Sequence, residues 1–208
     1  LEEARTRLAA ALARCRPAIE RANPAALALS NVLGLVQTEL GELGPAEATF
    51  LDVVERLARS VDRDHPSLLL ARNNLARVLE AQGRLTEAEA IYREVIDDRT
   101  RRLGRDDSGT LVCLNNLGTC LVRQGRLAEG EATHREVWGL RGARLGPDHP
   151  LTLGSQNNLV YALFQQGRFE EALPLQEEVV RRTAPDDPRL AGRRATLADV
   201  RDRLGLPR

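Results

Sequence analysis

The chain contains no lysine and no methionine, and aromatic residues make up only 3% of its 208 residues. Its core must therefore be filled mainly by Leu, Ala and Val, whose small and aliphatic side chains favour closely packed helices. The 30 basic residues are all arginine, and 30 acidic residues balance them. With no net charge and no segregated basic stripe, the sequence predicts no binding to nucleic acid, which needs a concentrated positive surface.

Long apolar runs and paired cysteine motifs are also missing. No run of about 18 or more apolar residues occurs, and the N-terminus lacks the basic, apolar and small-residue order of a signal peptide. We therefore expect a cytoplasmic protein that does not enter a membrane. The three cysteines, Cys15, Cys113 and Cys120, form no CxxC motif, so we expect small buried hydrophobic residues and predict no metal or other cofactor. Position 1 is leucine, which indicates a fragment of a longer chain.

An asparagine pair recurs every 42 residues, as Asn73-Asn74, Asn115-Asn116 and Asn157-Asn158. A looser copy has Asn31 followed by Val32. Self-similarity at a fixed period of this size is typical of a solenoid, in which each unit buries its apolar face against its neighbours. The sequence therefore predicts an array of equivalent units, and function is expected on a surface that they share.

Each period has the pattern of a helical hairpin. Apolar residues at helical spacing stop at a Gln-Gly-Arg turn, as at 82–84, and a second helical pattern then runs from Leu85 to Leu103. Glycine ends the first helix because it enters the left-handed backbone region at little steric cost. Before the first helix, Asp64-His65-Pro66 and Asp148-His149-Pro150 place proline where the first helical turn tolerates it. The residue before each proline is positioned to cap that helix, and we prefer this role for both histidines to catalysis or metal binding.

The register of these signals predicts one domain over residues 1–208. Its parts are the second helix of a truncated repeat at 1–16, complete repeats at 24–60, 66–103, 108–145 and 150–183, and a C-terminal capping helix at 188–204. The last helix is rich in charge, as expected of an element that covers the final apolar face of a solenoid.

The motifs Leu-Gly-x-Asp-His-Pro, Asn-Asn-Leu and Gln-Gly-Arg-Leu/Phe-x-Glu-Ala together resemble the tetratricopeptide repeat in its 42-residue form. They are similar to kinesin light chain repeats and their bacterial relatives. The resemblance implies an all-α, right-handed superhelical solenoid of antiparallel helix hairpins. It also implies a non-enzymatic scaffold whose first helices line a concave groove for a peptide or protein partner.

In this family, asparagines of the groove commonly hold the backbone of an extended peptide, since a carboxamide offers both a donor and an acceptor. Carried over by position, the candidates are Asn73, Asn74, Asn115, Asn116, Asn157 and Asn158, with Asn31 a weaker one. Residues that vary on the same face should supply specificity: Arg77 and Arg123 for a carboxylate, Tyr161 and Phe164 for an apolar pocket. Two alternatives stay open, namely that the amides bond inside the solenoid and that Phe164 is core beneath the last helix.

No P-loop, nucleophile elbow or paired metal-ligand motif is present, so the sequence predicts no enzymatic activity. The leading hypothesis is the sensor or docking region of a larger bacterial regulatory protein, with a protein or peptide as partner. One alternative is a module for self-association or for docking to other domains of its parent chain. Another is a receptor for a short signalling peptide that controls an attached effector domain.

Overall fold

The structure is a computed structural model that describes residues 23–207 together with Glu3, Arg5, Thr6, Ala10 and Ala11. It divides into two compact units, Leu1–Arg105 and Asp106–Arg208. The described residues contain nine α-helices and no strand, which confirms the all-α prediction. Most of the helix predicted at 1–16, including Cys15, lies outside the described residues.

The first unit contains two helical hairpins. Its helices are α1 (Pro24–Glu39), α2 (Leu43–Ser60), α3 (Pro66–Ala81) and α4 (Leu85–Leu103). Each helix packs against the next along the chain, and the short turns within each hairpin make its helices antiparallel.

The second unit has the same arrangement with one further helix. Its helices are α5 (Ser108–Arg123), α6 (Leu127–Leu145), α7 (Pro150–Gln165), α8 (Phe169–Arg182) and α9 (Leu190–Arg203). Helix α9 packs against α8, and its buried Val200 joins a hydrophobic cluster with Leu159 and Leu163 of α7. In the same unit Cys113 and Cys120 are buried and form no disulfide, as expected of small hydrophobic residues.

The turn and cap signals in the sequence act as expected. Gly83 ends α3 with a φ of 82°, and the N–H of Arg84 returns to the carbonyl of Leu79 at 2.9 Å, the closure of a glycine-capped helix. His65 Nδ1 accepts a hydrogen bond from the N–H of Ser67 at 3.2 Å. His149 Nδ1 accepts from the N–H of Leu151 at the same distance, so both predicted histidine caps are confirmed.

One buried position of the second helix recurs through the array and is held by Phe50, Tyr92, His134 and Gln176. The partner on the first helix must be small where this side chain is large. A Cβ added to Gly34 would lie 2.7 Å from the Phe50 ring, and one added to Gly118 would lie 2.8 Å from the His134 ring. Close approach of the two helices in a hairpin therefore depends on a small residue at this position.

The Gln-Gly-Arg motif also binds the preceding hairpin. In the first unit Gln82 Nε2 donates to Glu47 Oε2 at 2.8 Å, and Arg84 Nη1 donates to Glu47 Oε1 at 2.6 Å. These bonds lower the pKa of Glu47. In the second unit the equivalent contacts run from Gln166 and Arg168 to Glu131. We call each set, one glutamate held by the glutamine and arginine of the next turn, the glutamate clasp.

Candidate functional site

Amide side chains of α5 and α7 form a hydrogen-bonded ladder in the second unit. Asn158 Nδ2 donates to Asn115 Oδ1 at 2.8 Å, and Gln176 Nε2 donates to Asn157 Oδ1 at 3.1 Å. Among the described residues, Asn157 Nδ2 and Asn158 Oδ1 have no protein partner, and both side chains are partly exposed. A free amide N–H next to a free amide oxygen complements the carbonyl and N–H of a peptide backbone.

The first unit shows the same ladder. Asn74 Nδ2 donates to Asn31 Oδ1 at 3.0 Å. As in the second unit, the second asparagine of a pair therefore donates to the first asparagine of the preceding repeat. Asn31 is half-buried and Asn74 is buried. We call the sides of α1 and α3, and separately of α5 and α7, that carry these residues the amide faces. The predicted Asn73 is buried and Asn116 is half-buried.

Solvent-exposed residues flank the amides on both faces. Of the predicted specificity residues, Arg77 and Arg123 are exposed, and Tyr161 is 45% exposed one helical turn beyond its amide. Leu70 is 51% exposed and Val112 is 41% exposed, each three residues before an asparagine pair. The sequence reasoning missed these two apolar residues, although their register relative to the amides was available.

Phe164 lies in the hydrophobic cluster at the end of the second unit. Its ring centroid is 5.1 Å from that of Phe169 in an edge-to-face arrangement, and the Arg203 guanidinium carbon lies 5.6 Å from the Phe164 centroid. No ring contact joins Phe164 to Tyr161 in the described part of the chain. This packing favours the alternative that Phe164 is core beneath the last helix.

A cleft of about 440 Å³ opens between α7 and α9 in the second unit. Its walls include Gly154, Asn157, Asn158, Arg189, Gly192 and Arg193. No atom lies within 4 Å of the Cβ that either glycine would carry, so the cleft is open where the two helices face each other. The sequence reasoning missed this cleft; its signal is glycine at position 154, where the preceding repeats have Leu70 and Val112.

Positive charge exceeds negative charge at this cleft. Arg189 binds Asp187 through Nε at 2.9 Å and Nη2 at 2.8 Å, and these bonds help lower the pKa of Asp187 to about 2. Arg193 is only 5% exposed. Its Nη1 donates to Thr183, and the nearest carboxylate oxygen, Asp187 Oδ2, is 3.9 Å away. Burial lowers the pKa of Arg193, because its charge is poorly solvated there.

The described residues contain neither a metal-binding cluster nor a membrane-spanning helix. Within residues 23–207 and the five described before them, no group of three or more His, Cys, Asp or Glu side chains could hold a metal ion. None of the helices in those ranges is long and apolar enough to cross a membrane. The histidines have structural positions, since His65 and His149 cap helices and His134 is buried in the core.

Solved structures with this arrangement are known. Nearly identical TPR-like repeats of the kinesin light chain type from Podosopora anserina match with a TM-score of 0.77 at 24% identity, over 88% of this chain and 89% of that chain. BtubC (BKLC) from P. vanneervenii matches with a TM-score of 0.78 at 17% identity, over 95% of this chain and 84% of that one. At these identities the likeness concerns the fold. No curated protein matches the chain.

A family model gives the assignment. The model of the tetratricopeptide repeat matches residues 25–101, 67–137 and 110–184, and these overlapping matches span most of the sequence. The fold suggests a protein–protein interaction scaffold, and proteins with these repeats are generally non-enzymatic. The predicted resemblance is thus confirmed: this chain belongs to the tetratricopeptide repeat family.

Proposed function

We propose that the chain is a non-enzymatic scaffold that binds an extended segment of a protein or peptide on its amide faces. The direction of the hydrogen bonds in the ladder carries this proposal. Asn157 uses its oxygen on Gln176 and keeps its N–H groups, whereas Asn158 uses its N–H on Asn115 and keeps its oxygen. The pair therefore offers one donor and one acceptor that a peptide backbone satisfies without regard to its side chains.

The same bonds hold the free atoms in position before a ligand arrives. Gln176 is fully buried, so the amide plane of Asn157 is oriented by a group that cannot move into solvent. A preoriented donor loses less conformational freedom on binding than a mobile surface side chain. The ladder thus combines the structural and the binding roles that the sequence left as alternatives.

Backbone contacts alone give modest affinity. Each net hydrogen bond contributes about 0.5–1.5 kcal/mol, so a donor and acceptor pair contributes about 1–3 kcal/mol. Further affinity and selectivity must come from the exposed neighbours. Leu70, Val112 and Tyr161 offer apolar surface beside the amides, and exposed apolar and aromatic residues of this kind act as anchors in protein interfaces. Arg77 and Arg123 offer charge on the same faces.

The substitution Asn157→Asp tests the proposal. Aspartate has nearly the same shape and still accepts the hydrogen bond from Gln176, but it removes the free N–H donor. We expect the Kd for extended peptides to rise about 10-fold, because the lost donor leaves a peptide carbonyl unpaired. The thermal midpoint of unfolding should not change. Binding is measured by fluorescence polarisation on peptides selected from a random ten-residue array.

A matched control makes the same charge change elsewhere. Asn23 caps α1 through its Oδ1, which accepts from the N–H of Ala26 at 3.3 Å, and Asn23→Asp retains that oxygen. We expect this variant to bind the selected peptides like the wild type. Equal affinities for wild type, Asn23→Asp and Asn157→Asp, with all three folded, would contradict a peptide-binding role for the amide pair.

The wider biological setting stays a prediction. A cytoplasmic docking or sensor region within a larger bacterial regulatory protein is consistent with an interaction fold that has no catalytic motif. Self-association is the competing use of such a surface. Light scattering at increasing concentration separates the two, because self-association requires a mass that grows with concentration in the absence of any peptide.

A further inference from the structure

The cleft between α7 and α9 joins the free amide atoms to an excess of positive charge within the second unit. We infer that this cleft receives the side-chain carboxylate of an Asp or Glu residue in a bound extended segment. The backbone of that residue would be held by Asn157 and Asn158, so this inference rests on the proposed function. It specifies that one residue of the bound segment is acidic.

The two glycines of the cleft have no structural requirement to be glycine. Gly154 and Gly192 lie inside helices, and neither is among the glycines with positive φ. No neighbouring atom would obstruct a Cβ at either position. Glycine inside a helix is destabilising relative to alanine. Gly154 lies where the preceding repeats have Leu70 and Val112. The space that the two glycines leave between the helices is the cleft.

The charges at the cleft are incompletely paired. Asp187 is the carboxylate beside the two arginines, and Arg189 engages both of its oxygens. Arg193 is nine-tenths buried and lines the cleft, yet its hydrogen bond goes to the neutral hydroxyl of Thr183. Asp187 Oδ2 lies 3.9 Å from Arg193, at the limit of an ion pair, and a buried cation that has no hydrogen bond to an anion is unfavourable. A ligand carboxylate in the cleft would provide the missing charge and a charge-assisted hydrogen bond.

The wall that holds the peptide backbone and the wall that carries the arginine are fixed to each other. Gln176 Nε2 donates both to Asn157 Oδ1 at 3.1 Å and to the backbone oxygen of Arg193 at 2.8 Å. A segment held at Asn157 thus meets Arg193 at a defined separation. This geometry favours a side-chain carboxylate, on a residue whose backbone is held at Asn157, over the carboxylate at the C-terminus of a peptide.

The test uses acetylated and amidated peptides selected from the random ten-residue array. Each position is replaced in turn by Asp, Asn, Glu and Gln. We expect one position at which the acidic residue binds about 10-fold or more tightly than its amide, the size of a charge-assisted hydrogen bond. The variant Arg193→Gln should abolish that preference.

Because Arg193 is buried, a second variant protects the test against misfolding. Gly192→Leu fills the cleft without a steric clash at its Cβ and removes a helix-destabilising glycine. We expect it to fold and to bind each acidic peptide and its amide counterpart with equal affinity. The matched control is Gly139→Leu in α6, where the Cβ also meets no atom and the residue is exposed and outside the cleft; it should keep the preference.

Each outcome has a distinct meaning. Peptide binding without an acidic preference, or a preference that survives in folded Gly192→Leu, overturns this inference and leaves the proposed function in place. The same peptides are also measured without C-terminal amidation, and a preference for the free C-terminal carboxylate over its amide, with no effect of acidic side chains, also overturns the inference. Loss of all peptide binding by the wild-type chain overturns the inference together with the proposed function.

Discussion

At the residue scale, the asparagine pair at 157–158 joins neighbouring helices through one end of each amide and leaves the other end for the partner proposed above. Each carboxamide has a donor end and an acceptor end, and in this pair one end of each takes part in the ladder. Asn158 donates to Asn115 and keeps an oxygen, while Asn157 accepts from Gln176 and keeps its N–H groups. The chemistry of asparagine could be inferred from the sequence, but the end left free depends on partners distant in the chain.

His134 gives a prediction at this scale. It is 1% exposed, and burial, with a smaller contribution from Arg141, lowers its pKa from 6.5 to about 4. The unfolded chain therefore binds a proton at higher pH than the folded chain does. His134 does not reduce stability above about pH 6.5, and its penalty grows as pH falls from 6.5 towards 4. The full effect is on the order of 3 kcal/mol.

The measurement is urea unfolding of the wild type and of His134→Gln between about pH 4 and pH 7.5. Glutamine already occupies the equivalent position at Gln176, so it is compatible with the fold. The difference between the two proteins cancels the effect of carboxylates that titrate in the same range. A difference that does not change with pH would contradict the assignment of His134 as a buried neutral histidine.

At the element scale, the Gln-Gly-Arg turn both ends one helix and binds the hairpin before it. The glycine supplies the left-handed backbone, and the flanking side chains form the glutamate clasp. The turn could be read from the sequence, because glycine and helix period are local signals. The clasp could not, because Glu131 lies 35 residues before Gln166 and 37 before Arg168.

Removal of the clasp should reduce stability without affecting recognition. Glu131→Ala loses the bonds from Gln166 and Arg168, and we expect the free energy of unfolding to fall by about 1 kcal/mol, as for a partly buried charged pair. Peptide affinity should not change, since Glu131 is on the second helix of its hairpin and outside the amide face. Chemical denaturation and the polarisation assay measure the two effects.

Glu171→Ala is the matched control for the clasp. Glu171 also binds Arg168, through Oε1 at 2.6 Å, but it lies in the same hairpin and is exposed. We expect a smaller loss than for Glu131→Ala. If the two variants were equally stable, the clasp would contribute no more than an exposed ion pair.

At the scale of the whole molecule, the balance of 30 acidic and 30 basic residues gives an isoelectric point near 7.0. A chain without net charge has little long-range repulsion between copies. We therefore expect solubility of this chain to pass through a minimum near pH 7. The intensity of static light scattering at fixed protein concentration should be highest near pH 7 and lower at about two pH units above or below it. A minimum in scattering near pH 7 would contradict this expectation.

The family and the helical architecture were predictable because they repeat. A signal that recurs every 42 residues is averaged over several copies, so the departure at Val32 does not obscure it. The candidate site was less accessible. Tyr161 and Phe164 have equivalent sequence signals, yet Tyr161 is exposed and Phe164 packs beside Phe169, because α9 covers the end of the second unit. The residue pattern of α7 alone does not indicate which of its residues α9 will cover.

The helix hairpin, its turns and its repeat family follow from local sequence, because glycine, proline and apolar periodicity act through neighbouring residues. The atoms that remain available to a ligand depend instead on contacts between residues far apart in the chain. The bond between Asn158 and Asn115 joins residues 43 apart, and the cleft at Gly154 and Gly192 forms where two helices meet. The donors, acceptors and charges that a partner encounters are those that packing leaves unpaired, and packing is a property of the folded chain.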